Sequence, residues 1–443
     1  MKKISIKFLF SVLLGLLLSA TVFAQGIRID FTEYTLDNGL HVILHQDNST
    51  PNVVVNIMYH VGAKNEDPER TGFAHFFEHL MFEGSKNIGR GEFAGIVEKA
   101  GGTLNAGTSY DFTMYYVLLP SNQLELGLWL ESERLLHPVI DSIGIATQKS
   151  VVTEEMKQVR DNRPYGRWVS ETLSRAFTVH PYRSDVLGLD PHIRNATEED
   201  IKNFHDMFYV PNNAVLVVSG DIDIEKTKPL VKKYFGDIPR GIQPIYRPNV
   251  VEPRRTAEVR DTVYDNIQLP AVIHAYPLPA QGTPDFFAMD MLSTLLSGGQ
   301  SSRMYRRLVD QDQTALTVQA IALGLEDPGV KIVFGLPNMG VDPEVLEHGI
   351  IEELERVKNE LITEQELQKL KNQMESRFVS SNTTIASRAF SLANYHLLLG
   401  DANRINTELN NYLSVTRQDI QRVAREYLKE DYRVVIYYMP KAQ

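Results

Sequence analysis

The sequence contains no cysteine. No disulfide can form and no lipid can be attached through a thiol, so stability must come from packing alone. Positive charge is also short, with 45 Lys and Arg against 56 Asp and Glu and a formal net charge of −11. That balance argues against nucleic acid or an anionic membrane as the main partner. A phosphate-binding loop is lacking too, because the lone Gly298-Gly299 pair does not have the spacing such a loop needs. Long apolar runs are nearly absent. The one present extends from Phe8 to about Leu18, after Lys2, Lys3 and Lys7 and before Val22-Phe23-Ala24. This is the layout of a signal peptide, and the run is short for a membrane span. The expectation is cleavage after residue 24 and no stable membrane insertion afterwards, with an uncleaved anchor as the alternative. Losing the three lysines takes the formal charge from −11 to −14. The short basic start favours the periplasm, with release from the cell as the alternative.

The remaining 419 residues, 25–443, exceed what one core usually supports. A break falls at 236–253, where Pro239, Pro244, Pro248 and Pro253 punctuate a polar stretch. It separates an N-terminal domain, 25–235, from a C-terminal domain, 254–443. The two end alike. Thr197-Glu-Glu-Asp-Ile201 opens a helix that leads into the strand Ala214–Val218, and Thr416-Arg-Gln-Asp-Ile420 opens one that leads into Arg433–Tyr438. The two stretches align without a gap at an offset of 219 residues, which points to an internal duplication. Strands are expected at 35–44, 52–61, 113–119 and 214–218. Helices are expected at 73–83, 92–100, 122–136, 142–161, 167–177 and 198–209, and then at 284–297, 302–310, 343–360, 364–380, 387–398 and 416–428. The pattern is α+β, with helices laid on a mixed sheet.

One short segment carries chemistry: His75-Phe76-Phe77-Glu78-His79. Histidines four apart leave one helix face a turn apart, and two neutral imidazoles at that spacing can bind one zinc ion. Glu78 projects beside them and can reach a metal-activated water as general base. A catalytic zinc needs a third protein ligand and an open position. The adjacent Glu154 and Glu155 are the candidates, and since they point about 100° apart only one can face the metal. Composition does not choose between them.

Around this segment the chain resembles the pitrilysin, or insulinase, family of inverted-zincin peptidases, and in particular its short form, like the mitochondrial processing peptidase. Gly62 and Glu66 precede the motif as in that family, and Phe82-Glu83-Gly84-Ser85 follows it. Gly101-Gly102-Thr103-Leu104-Asn105-Ala106, Tyr115-Tyr116, Val151-Val152-Thr153-Glu154-Glu155, His180-Pro181-Tyr182, Tyr209–Asn213 and Leu296–Arg303 extend the likeness over most of the chain. The resemblance implies two homologous halves, each a mixed or antiparallel sheet covered by helices, facing each other around a chamber. It implies one zinc per chain on His75, His79 and Glu154, with Glu78 as the base. It also implies an extended peptide added as a strand along 104–108, where Gly102, Asn105 and Ala106 bind substrate.

Two departures stand out. Many relatives carry a second glutamate seven residues before the distal ligand, and that position here is Thr147. Complete sites also hold an arginine and a tyrosine seven apart in the second half, where Val309 and Leu316 stand in this chain. Neither can donate a hydrogen bond to a developing oxyanion. The expected protein is therefore a zinc endopeptidase acting on small or unfolded peptides. It would be the zinc-bearing subunit of a heterodimer whose homologous zinc-less partner supplies the arginine and tyrosine, with a homodimer as the alternative. A non-catalytic peptide-holding or assembly subunit is the competing function.

Overall fold

The computed structural model describes residues 28–441, so the expected signal peptide lies outside the described residues. No described helix is long and apolar enough to cross a membrane. From Phe31 onward the described chain forms one compact unit.

The first sheet draws on six strands: β1 Thr32–Thr35, β2 His41–Gln46, β3 Asn52–Tyr59, β4 Thr103–Thr108, β5 Thr113–Pro120 and β6 Ala214–Gly220, in the order β1-β2-β6-β3-β5-β4. The second uses β7 Val259–Asp265, β8 Ala271–Leu278, β9 Ala315–Leu323, β10 Gly329–Pro337 and β11 Val434–Pro440, in the order β7-β11-β8-β10-β9. With β1 set aside, the two orders are the same. So are the directions: β2 runs parallel to β6 as β7 does to β11, and the other neighbours are antiparallel. The duplication expected from the chain ends therefore extends through both sheets.

Helices α1 Phe73–Leu80, α2 Glu92–Lys99, α3 Leu124–Leu136, α4 Ser142–Met156, α5 Trp168–Ala176, α6 Asp190–Asn195, α7 Glu198–Phe208 and α8 Ile224–Phe235 accompany the first sheet in sequence. Helices α9 Pro284–Ser297, α10 Pro343–Asn359, α11 Glu364–Ser381, α12 Ile385–Leu399, α13 Arg404–Ser414 and α14 Arg417–Tyr427 accompany the second. Thr197 and Thr416 each accept from the aspartate amide three residues on, and that aspartate bonds back to the threonine amide. These reciprocal bonds satisfy donors that a helix start leaves open.

One helix from each half crosses over. Around α5, Trp168, Leu173 and Phe177 pack on the face of the second sheet that carries Ile273, Ile332 and Ile436. Residues about 219 further on form α12, which lies on β3 and β6 of the first sheet. Phe390 of α12 meets Phe112 at 5.7 Å between ring centroids. Both sheets are thus covered on two faces, which is why β6 and most of β8 are buried along their length rather than in alternation.

Three expectations change in detail, one being the helix expected over 142–161, which ends at Met156 and continues as a π segment, Lys157–Asp161. The single strand expected over 35–44 is a hairpin, because Gly39 takes φ +89° and its N–H donates to the Leu36 carbonyl. A turn at Asp37-Asn38-Gly39 therefore splits the run into β1 and β2. The helix expected at 302–310 is a wide-turned π segment, Tyr305–Gln311.

Candidate metal centre

Helix α1 starts at Gly72, whose φ of +92° turns the chain into the helix. The Glu66 carboxylate accepts from the amides of Gly72 at 2.7 Å and Ala74 at 2.8 Å. It thereby fills donors that the helix start leaves unpaired, at the end where the helix dipole favours negative charge. Burial nevertheless pushes the Glu66 carboxyl up to about 8. At the other end, the buried Arg134 donates to the Met81 carbonyl at 3.0 Å and pairs with Glu131. In the middle, Tyr115 of β5 donates to the Phe77 carbonyl at 3.1 Å, and the Phe77 ring stacks on Phe204. These contacts fix the helix that presents the histidines, whose other neighbours include α4.

On the side toward α4 the His75 and His79 Nε2 atoms lie 3.3 Å apart. Glu155 Oε2 of α4 is 3.2 Å from His79 Nε2 and 3.7 Å from His75 Nε2. Ligands on a tetrahedral zinc with bonds of 2.0–2.1 Å sit about 3.3 Å from one another. Two neutral imidazoles and one carboxylate at these separations fit zinc in donor chemistry and spacing. Burial, with the neighbouring His79, pushes His75 down to about 4, so its ring is neutral at ordinary pH. The hydrogen bond with His79 holds Glu155 below the usual carboxylate range despite partial burial.

The carboxylate that the structure brings to the histidine pair is Glu155 and not Glu154. On α4 the buried residues Val152 and Met156 set the face turned inward. Glu155, three after Val152, shares that face, while Glu154, two after it, points away. The Glu154 side chain is 56% exposed and pairs with Lys157 at 3.2 Å. The same shift moves the position seven residues earlier from Thr147 to Gln148, whose side-chain amide donates to Glu83 Oε1 at 2.5 Å. Thr147 bonds its own helix through the Ile143 carbonyl.

Glu78 stands beside the trio. Thr108, the last residue of β4, donates to Glu78 Oε2 at 2.7 Å. Burial raises the Glu78 carboxyl above its ordinary value, with Thr108 pulling the other way. The sequence placed Thr108 only at the end of the expected substrate strand, 104–108, and not against Glu78; a hydroxyl at the end of the edge strand was the available signal. Strand β4 is the free edge of the first sheet, with Asn105 exposed and Ala106 half-buried. The Asn105 side chain accepts from the Ala106 amide at 2.9 Å, so that amide faces the open edge rather than β5. Gly102 enters β4 where a β-carbon would come within 2.5 Å of the Leu118 carbonyl oxygen, so close packing with β5 already requires a glycine there. In the second half Val309 packs on the core and Leu316 is 55% exposed, and neither offers a polar group.

The model of the insulinase (peptidase family M16) domain matches residues 41–188, and that of the peptidase M16 inactive domain matches 195–374. A zinc protease, PqqE, of Helicobacter pylori is 33% identical over 99% of this chain and all of its own. The chain belongs to the M16 (insulinase) peptidase family. Another M16 relative, the uncharacterized zinc protease YmxG of Bacillus subtilis, is 24% identical over 91% of this chain and 97% of its own. The crystal structure of a protease from Helicobacter pylori superposes with a TM-score of 0.89 at 31% identity, covering 93% of this chain and 100% of that one.

Proposed function

We propose that this M16 chain is a zinc-dependent endopeptidase, with His75, His79 and Glu155 as ligands and Glu78 as general base. The observation that carries the reading is the meeting of three ligand atoms at zinc-like separations beside a carboxylate that hangs from the edge strand. When bound, zinc supplies a Lewis acid that polarises a carbonyl and makes water a nucleophile near neutral pH.

The protein's own groups do the rest. The open edge of β4 offers backbone donors and acceptors to an extended peptide, which favours small or unfolded substrates read by main chain. The amide of Ala106 is free to bind such a strand once the Asn105 side chain releases it. Glu78, its pKa raised by burial, takes the proton of the attacking water and passes it to the leaving amine. Thr108 keeps one carboxylate oxygen of Glu78 occupied and leaves the other free for that work.

Val309 and Leu316 leave the oxyanion without a donor from the second half, and loss of one such donor costs on the order of a hundredfold or more in rate. This supports a partnership in which a homologous zinc-less chain supplies an arginine and a tyrosine; a homodimer is the second arrangement. We place the mature protein, residues 25–443, in the periplasm, with its two halves divided at 236–253.

The decisive experiment is Glu78→Gln. Bound zinc and fold are expected to persist while cleavage of a quenched peptide drops by at least about a thousandfold. Undiminished cleavage would remove Glu78 from its role. A wild-type chain that holds zinc but cleaves nothing, alone or with its partner, would favour a peptide-holding subunit.

A further inference from the structure

Far along the first sheet from the zinc motif, a second set of ligand-type side chains converges. His41 begins β2, Glu33 sits beside it on β1, and His396 reaches over from the crossing helix α12 of the second half. Glu33 Oε2 lies 3.1 Å from His41 Nε2 and 4.0 Å from His396 Nδ1. The two rings stack with centroids 3.5 Å apart and planes 8° from parallel. Among the described residues, only this trio and His75-His79-Glu155 bring three such ligand atoms within 4.8 Å of one another.

We propose that Glu33, His41 and His396 form a second divalent-cation site, of zinc-binding chemistry, that pins α12 to the edge of the first sheet. Several observations carry it. The donor set is two imidazole nitrogens and one carboxylate oxygen, the combination that suits zinc and similar first-row ions. The Glu33–His41 separation already matches the roughly 3.3 Å edge of a zinc tetrahedron, and all three ligand atoms lie within 4.8 Å of one another. His41 also has an orienting partner, because Thr35 Oγ1 lies 3.2 Å from its Nδ1 and leaves Nε2 as the atom toward Glu33. A hydrogen bond on the ring nitrogen away from the ion is the usual companion of a histidine ligand. The cluster is reachable, with side chains 16%, 26% and 44% exposed for His41, His396 and Glu33.

The stack sets one requirement. In parallel rings the in-plane lone pairs run side by side, so one imidazole must turn out of the stack for both to aim at a common ion. His396 is the one free to do so, since His41 is tied to Thr35 and Glu33. The site joins elements far apart in sequence, so an ion there would restrain the packing of α12 on the first sheet without touching Glu78 or its neighbours.

Zinc stoichiometry and thermal melting of the full chain test this. Protein stripped with a chelator is dialysed against micromolar free zinc. Wild type is expected to hold two ions per chain, His75→Ala/His79→Ala one, and the triple variant adding His396→Ala none. His396→Ala alone should hold one ion and keep its peptide cleavage. In the His75→Ala/His79→Ala background zinc should raise Tm, and His41→Phe, which keeps an aromatic ring in the stack, should abolish that rise. Cobalt(II) should give tetrahedral visible bands in the double variant and lose them with Glu33→Gln. A double variant that holds no zinc overturns the proposal, as does retention of its ion after His396→Ala. Loss of cleavage in His75→Ala/His79→Ala with one ion retained would leave the catalytic assignment and the second site independently supported.

Discussion

Glu154 and Glu155 differ by one residue and by about 100° around α4. The residue types, the need for a third ligand and the stretch that brings a carboxylate to the histidines were all legible in the sequence. The choice between neighbours was not, because it depends on which face of α4 packs inward, and Val152 and Met156 settle that only in three dimensions. The resemblance pointed to Glu154, and with it to Thr147, whereas the side chain beside the histidines is that of Glu155, seven residues after Gln148. Glu155→Ala is expected to weaken zinc binding by more than about a hundredfold, beyond what loss of a supporting residue costs, and to abolish cleavage with it. Glu154→Ala removes an exposed partner of Lys157 and should change neither zinc affinity nor turnover more than about twofold. Competition with a chromophoric chelator measures both affinities, and equal losses would sink the assignment.

The elements that came out of the sequence well are those with long periodic patterns. The helices and strands of the first half from Asn52 onward fall close to their expected bounds, and Thr197 and Thr416 mark the two helix starts. Short-range chemistry hid the β1–β2 hairpin, where one positive φ at Gly39 breaks an apparently continuous run. Strand β4 has little strand character of its own, with Gly102, Asn105 and Gly107 in or beside it, and only the resemblance marked it. Its use as a docking edge can be tested without breaking the sheet. The Ala106 amide bonds the Asn105 side chain rather than β5, so Ala106→Pro removes an edge donor and leaves the ladder whole. Fold and zinc content should survive. The kcat/KM for an extended peptide should fall by at least about tenfold, the worth of one or two main-chain hydrogen bonds plus the bulk of the ring. Unchanged kcat/KM would move the substrate off β4.

At the scale of the whole molecule, no local pattern announces that α5 and α12 exchange sheets, because the contacts join residues hundreds of positions apart. The same is true of the polar junction between the halves. Lys64, buried just ahead of α1, lies 3.1 Å from the buried Asp111, 2.5 Å from Glu326 and 3.2 Å from Asp327. Tyr182 donates to Asp111 at 2.5 Å, and His60 Nε2 is 2.8 Å from Glu326. Burial works against the Glu326 carboxylate, but His60 and Lys64 outweigh it and hold the group below its ordinary value. His180 and Lys64 do the same for Asp327 against its own burial. Groups lowered in this way bind protons more readily in the unfolded chain. Their contribution is present above the ordinary carboxylate range, about pH 4, and is lost as pH falls below it. Lys64→Met strands the buried Asp111 charge and should cost about 3–5 kcal/mol at neutral pH, the usual cost of removing one partner of a buried pair. The deficit should shrink as the solution is acidified through about pH 4, because protonating the orphaned carboxyls relieves it. Urea denaturation of both proteins at a series of pH values reads this directly. A deficit that stays constant with pH would mean that Lys64 contributes through packing, and that the halves are not joined by its charge.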